Sequence, residues 1–313
     1  MLSRTAADLY WLGRYMERAE NLSRILEVGD RMSSIPRADG TEHGEWHSTL
    51  VISGTHEQYY EQYDTPEPEQ VLNYIALDPS NPSSIRSCIE TARRNARSVR
   101  TSLTSEMWEC LNAAWLELIS ERIDQLREGD VRGFLDWVRE RSMIFRGAAY
   151  GTMLRNDSFY FLRLGTFIER ADNTARILDV KYHVLMPEGE AIGGSLDYSQ
   201  WMALLRSVSA ARGFHWIYRE SLQPWLIAEL LILREEMPRS LISCLNEVNT
   251  YLGHLADVYG RRHECHRRAG ELHARLRYGR TDDIFQEGLH EYLTDFVERN
   301  NIVSDEIARA YLQ

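Results

Sequence analysis

A chain of 313 residues, 43% hydrophobic and 27% charged, has an ordinary globular balance and the length for a large core in one or two domains. Its 36 basic against 47 acidic residues give a formal charge of −11, which excludes the basic footprint of a general nucleic-acid binder but leaves room for a local basic pocket. The longest apolar stretch, Trp225 to Leu233, is too short to span a bilayer and is interrupted by Glu229.

Taken in chain order, the N-terminal MLSRTAADLYW lacks the charged-then-apolar order of a signal peptide. Helical periodicity then predicts helices over about 5–31, 46–61, 66–77, 82–103, 105–127 and 131–152. A second series follows over about 158–184, 199–220, 224–235, 239–259, 261–278 and 283–298, with a terminal piece at 303–311. Asn81 is read as a cap with Pro82 at the first helical position, and Pro238 as the opening of a matching helix. Gly129 ends one helix and Asp130 caps the next. STLVISGT (48–55) has strand-like β-branched content, but its partner MALLRSVSAARG (202–213) reads as helix, so both are expected to be helical. Four cysteines (Cys88, Cys110, Cys244, Cys265) form no CxxC pair, so a soluble, cytoplasmic protein with reduced thiols is expected.

The two series are copies. LGRYMERAENLSRILEV (12–28) and LGTFIERADNTARILDV (164–180) align without gaps at an offset of 152 and share ten of seventeen positions. NPSSIRSCI (81–89) parallels MPRSLISCL (237–245), and Trp46–Tyr60 parallels Trp201–His215. The Gly- and acid-rich loops SSIPRADGTEHGE (33–45) and PEGEAIGGSLDY (187–198) fall at the same point in each series. The fold class is therefore all-α: two tandem copies of a multi-helix bundle unit related by internal duplication, 1–150 and 151–313, packed as one domain.

At 100° per residue, Leu12, Tyr15, Ala19, Leu22 and Leu26 share one face of the first helix and are expected in the core. Gly13, Glu17, Asn21 and Arg24 lie almost opposite, as do Gly165, Glu169, Asn173 and Arg176 in the second copy, with Arg18 and Arg170 between the faces. The polar face keeps its chemistry between copies while the core positions change size (Tyr15/Phe167, Leu22/Thr174). One reading turns both polar faces into a cleft. There Glu17 and Glu169 are the catalytic carboxylates, Arg18, Arg24, Arg170 and Arg176 are guanidinium forks for a carboxylate or phosphate, and Asn21 and Asn173 orient them. The other reading is a pair of crossing helices stapled by mutual Arg–Glu bonds, with no catalysis.

Weaker candidates are few. Arg86, Arg93, Arg97 and Arg100 form a stripe, and Arg93 and Arg97 are a candidate anion-binding wall in one half only. His263, Cys265 and His266 look metal-like, but adjacent helical residues point apart. Glu287 and His290 match a Glu-x-x-His unit without a second unit to pair with. No HExxH, P-loop, GxSxG or GxGxxG occurs, so no metal or cofactor is expected. Cys88 and Cys244 occupy one repeat position among apolar neighbours and read as core thiols.

ERAEN…RIL and ERADN…RIL, together with NPSSIRSC, ARRNAR, MPRSL and HRRAGELHARL, resemble the bacterial alpha-E family over essentially the full chain. That resemblance implies an all-helical domain whose Glu-Arg motif maps onto Glu17-Arg18 and Glu169-Arg170. It also implies a circularly permuted ATP-grasp protein as partner, often beside transglutaminase-like or proteasome-related peptidases, and hence work on a peptide or amide-linked tag. Ser83 stands where the family pattern has an arginine after the proline, which Arg239 retains, so the two sites are not expected to be fully symmetric. Three functions are consistent with these features. The first is a non-ATPase partner that holds an amino acid or peptide for an amide ligase. The second is an enzyme with Glu17 or Glu169 as general base, and the third is a scaffold without ligand.

Overall fold

The computed structural model describes residues 1–33, 44–184 and 195–313, with side chains for 1–33, 44–179 and 198–313. Among these residues the chain is helical, without a strand. The first series comprises α1 (Ser3–Ser33), α2 (Gly44–Ser53), α3 (His56–Tyr60), α4 (Pro68–Ala76), α5 (Ile85–Ser98), α6 (Ser105–Glu117), α7 (Ile123–Arg127) and α8 (Val131–Thr152). The second comprises α9 (Asp157–Val184), α10 (Ser195–Ser207), α11 (Ala211–Tyr218), α12 (Pro224–Ile232), α13 (Leu241–Tyr259), α14 (Glu264–Arg277), α15 (Thr281–Glu287) and α16 (Leu289–Ile307). π-Helical turns join α6 to α7 at Leu118–Arg122 and extend α16 at Ala308–Leu312. The two Gly- and acid-rich loops that match in the sequence lie mostly outside the described residues.

α1 and α9 form the centre. α1 packs on α5 and α8, while α9 packs on α13 and α16. α2 reaches across to α9 and α10 to α1, so each half covers the other half's central helix. Most buried side chains accordingly form one core that draws on both halves, with a small separate cluster of Val28, Met32 and Ala203. The core face read from α1 is correct for Leu12, Ala19, Leu22 and Leu26, whereas Tyr15 is only half-buried. The opposite, polar face is buried too: Gly13, Glu17, Asn21 and Arg24 all lie inside.

α2 is helical through Thr49, Leu50 and Ile52, as its repeat partner predicts, despite its β-branched residues. Several boundaries differ from expectation. Ser84, not Asn81, caps α5, accepting from the Ser87 N–H at 3.2 Å, and the helix begins at Ile85. Asn81 instead forms a local turn, its Oδ1 accepting from the Ser83 N–H at 2.9 Å, which keeps Pro82 outside the helix. Ser240 caps α13 in the same way, so Pro238 also lies ahead of its helix. Lastly, the segments expected as single helices over 46–61 and 199–220 each break at a left-handed residue, Gly54 (φ +69°) and Ser209 (φ +59°). The caps at Asp130 (Oδ1 accepts from the Gly133 N–H at 2.9 Å) and the stop at Gly129 (φ +95°) are as read.

Candidate functional site

α1 and α9 approach so closely because each carries a glycine at the contact. A Cβ on Gly13 would sit 2.1 Å from the Leu162 carbonyl oxygen, and one on Gly165 would sit 2.0 Å from that of Tyr10. No side chain fits there, since the clash is with backbone that cannot swing aside. The contacts advance in step along both helices (Tyr10 with Gly165, Gly13 with Thr166, Glu17 with Arg170), so the two run in the same direction.

One turn beyond the glycines, the Glu-Arg motifs bind each other. Arg170 donates Nε and Nη2 to the two Glu17 oxygens, both at 2.8 Å. Arg18 donates Nε and Nη2 to Glu169 at 2.6 and 3.1 Å. Each carboxylate takes a planar fork from the other helix, the geometry in which guanidinium–carboxylate pairs are strongest. Around this reciprocal core the two sides differ. Glu17 also accepts from Arg239 at 3.1 Å and Arg146 at 3.3 Å. Glu169 also accepts from Arg14 at 2.8 Å, whose Nη1 reaches Ser304 at 3.0 Å. The arginine that Ser83 lacks is thus replaced, on that side, by Arg14 from the central helix itself.

The network extends further. Glu20 accepts from Arg24 at 2.8 Å and from Arg146 and Arg239. Arg24 donates onward to the Ser207 carbonyl at the end of α10 and to Ser209 Oγ at 3.1 Å. It so caps the negative end of a helix from the other half. Arg176 pairs with Asp172 at 2.7 Å, and its guanidinium lies 3.9 Å from where a Gly54 Cβ would be, at the matching helix end. Asn21 Oδ1 accepts from Arg239 at 3.3 Å, while the Nδ2 groups of Asn21 and Asn173 are both buried without a hydrogen-bond partner among the described residues. Of the eight residues read from the two polar faces, Glu17, Arg18, Glu169 and Arg170 pair directly across the helices, whereas Arg24 and Arg176 bind a carboxylate of their own helix and Asn21 meets Arg239.

Burial alone would raise the Glu17 carboxyl, but Arg170 and Arg239 reverse this and hold it at about 2. Burial likewise opposes ionisation of Glu169, and Arg18 and Arg14 bring it to about 2. Glu20 is held well below the usual carboxylate range by Arg239, Arg146 and Arg24, against the effect of burial. Burial and neighbouring Arg24 push Arg239 down to about 10, against the pull of Glu20 and Glu17. Within this network four carboxylates (Glu17, Glu20, Glu169, Asp172) meet seven guanidiniums (Arg14, Arg18, Arg24, Arg146, Arg170, Arg176, Arg239), and this excess of positive charge adds to the effect of burial on Arg239.

The remaining candidates lie elsewhere. Arg93 donates to Asn112 Oδ1 at 2.9 Å and lies over Trp108, and Arg97 is exposed, so neither joins the network. His266 Nδ1 accepts from the His263 N–H at 2.9 Å, a helix-capping role. Glu287 pairs with Arg275 and His290 with Asp179, which separates the Glu-x-x-His unit. Among the described residues no three His, Cys, Asp or Glu side chains are grouped to hold a metal. Cys88 and Cys244 are buried, and burial pushes both thiols up to about 12, as core thiols behave. Sequence reasoning missed Arg14, Glu20, Arg146 and Arg163. Arg163 had a signal: it interrupts the apolar run Phe161-Leu162-Arg163-Leu164 just before the contact glycine.

These features define a class: an all-helical protein organised on two glycine-contact helices locked by reciprocal glutamate–arginine pairs. The chain belongs to the Alpha-E family, described as a predicted alpha-helical domain with a conserved ER motif, whose match covers residues 1–312. Similar proteins include one from Mycobacterium bovis and two from Mycobacterium tuberculosis (strains CDC 1551 and H37Rv), each named only as uncharacterised. Each is 23% identical over 318 residues, covering 94% of this chain. This chain spans 35% of the length of those relatives. No solved structure matches it. No helix among the described residues is long and apolar enough to cross a membrane.

Proposed function

We propose that this chain is the non-ATPase, substrate-binding component of an ATP-grasp-linked system that forms or modifies peptide or amide bonds, and that its Glu-Arg motifs are the frame of the binding region. The observation that carries this reading is the state of Glu17 and Glu169. Both are buried, both are forked by an arginine of the opposite helix, and both sit at about 2. A general base working near neutral pH needs a carboxyl poised near that pH and within reach of a substrate proton. A carboxylate committed to two or more guanidiniums is a poor proton acceptor and a good rigid support, which favours a binding role over an enzyme with Glu17 or Glu169 as base. The ATP-grasp association is what the resemblance to the family implies, and the family description itself names only a helical domain with an ER motif. The extra length of the mycobacterial relatives is compatible with a domain that works beside other polypeptide. The test is co-expression with a circularly permuted ATP-grasp protein encoded in the same genome. Co-elution through size-exclusion chromatography is expected, and separate elution with and without ATP and magnesium would overturn it.

We also infer that the two series, 1–150 and 151–313, arose by duplication of one unit. Reciprocal glycine contacts, reciprocal Glu-Arg forks and exchanged helix-end contacts of Arg24 and Arg176 support this. Superposing the helices of one series on the other tests it: matching helix paths support duplication, and paths that diverge outside the central pair would sink it.

A further inference from the structure

Beside the Glu17 end of the network, a cavity of about 320 Å³ opens between α8, α9 and the start of α13. That volume falls at the lower end of the range of small-molecule sites, roughly 300–1,000 Å³. Its walls include three guanidiniums with unused donors. Arg146 engages its carboxylates through Nη1, and Arg170 engages Glu17 through Nε and Nη2. Arg163 is the most telling. It is 97% buried, its one hydrogen bond among the described residues is from Nη2 to Tyr150 Oη at 3.1 Å, and its buried Nε donates to nothing. It lies between the rings of Tyr150 (4.4 Å) and Phe167 (4.6 Å) and makes no ion pair with any described carboxylate. A buried, unpaired guanidinium is costly, and stacked aromatics offset only part of that cost. On the α13 wall stand Ser243 and Glu247, the latter half-buried and also without an ion pair among the described residues. Unmatched positive and negative groups thus face the same small cavity from different helices.

We propose that this cavity binds a zwitterion, a free amino acid or a very short peptide. Its carboxylate meets Arg163, Arg146 and Arg170, and its ammonium meets Glu247. The matching position to Arg163 at the 152-residue offset, Trp11, is neutral, and there Arg14 stacks over Trp11 at 4.9 Å and bonds Ser304, so no second such arrangement occurs among the described residues. The proposal names the ligand for the binding role argued above. It is read on the chain alone, so its failure leaves association with an ATP-grasp protein standing, and failure of that association leaves this binding standing.

Isothermal titration of the full chain tests it with L-alanine, L-glutamate and L-alanyl-L-alanine, each against its C-terminal amide and its N-acetyl form, with inorganic phosphate as a separate arm. At least one free zwitterion is expected to bind, with a loss of about ten-fold or more for its amide and for its N-acetyl form, in line with loss of a charge-assisted contact. Arg163→Gln is expected to abolish the preference for a free carboxylate. Glu247→Gln, at a half-buried position that stabilises nothing else, is expected to fold normally and to lose discrimination between free and N-acetyl probes. Circular dichroism confirms that both variants are folded, and the Glu247 variant keeps the proposal testable should Arg163→Gln unfold. No heat with any zwitterion at millimolar concentration, phosphate binding alone, or zwitterion binding unaltered by Glu247→Gln would overturn the assignment.

Discussion

Glu17 is shared by three guanidiniums, Arg170, Arg239 and Arg146, so losing its charge leaves the buried Arg170 with no carboxylate partner among the described residues and leaves Arg239 and Arg146 with Glu20 alone. Breaking one partner of a buried ion pair typically costs roughly 3–5 kcal/mol. Glu17→Gln is therefore expected to lower unfolding free energy by about that amount in urea titration. Glu169→Gln should cost less, because it serves only Arg14 and Arg18, and the Arg18 side chain is 25% exposed and can turn to water. Arg97→Gln, at an exposed position outside the network, should stay within about 0.5 kcal/mol of the parent. An Arg97 effect as large as that of Glu17 would contradict the assignment of stability to the network. At this scale the sequence was partly legible. Matching Glu-Arg-Ala-x-Asn motifs marked the residues that pair between α1 and α9, and Ser83 against Arg239 pointed to the asymmetry. The contribution of Arg14 and Arg146 was not legible, because one has threonine as its repeat partner and the other comes from a helix with no repeated motif of its own.

The central helices show what a helical wheel can and cannot say. It grouped Gly13, Glu17, Asn21 and Arg24 on one side, and that grouping holds. It could not say that another helix with the same motif covers that side, because periodicity records which residues share a face and nothing about what covers it. The glycines are the clue to close approach, and they lead to a prediction at the element scale. Gly13→Ala or Gly165→Ala forces a methyl into backbone 2.1 or 2.0 Å away, and the helices must part, moving the ion pairs with them. Each is expected to cost more than about 3 kcal/mol. Gly253→Ala in α13, where a Cβ meets nothing within 4 Å, should instead stabilise by roughly 0.5–1 kcal/mol through helix propensity alone. Equal melting temperatures for the Gly13 and Gly253 variants would refute the close contact. The breaks at Gly54 and Ser209 were hidden by a continuous apolar period. The break at Ser209 exposes the Ser207 carbonyl to Arg24, so a local irregularity serves a contact between halves.

For the whole molecule, the repeat in the sequence predicts two helix series, and in the structure these do not stand apart. α2 covers α9, α10 covers α1, and the main core draws on both halves. Residues 1–155 or 156–313 expressed alone should therefore lack cooperative melting by circular dichroism, and co-expression should restore it. A separately expressed half with a sharp transition would contradict the shared core. Acid acts on the same interface. Glu17 and Glu169 sit at about 2 when folded against an ordinary 4.5, so their contribution is fully present above pH 4.5 and is lost as pH falls through about 2. Each group's share of stability declines by about 1.4 kcal/mol per pH unit across that window. The cavity was the least legible feature, since its walls come from three helices far apart in the chain.

Glu17 and Glu169 act as ionised supports of a helix pair. The most direct measurement is NMR titration of their side-chain carboxyl carbons, assigned with Glu17→Gln and Glu169→Gln. Both carboxyls are expected to stay ionised until pH falls to about 2 or until the protein unfolds first. A midpoint near neutral pH for either carboxyl in the folded protein would contradict this and return that residue to the role of general base.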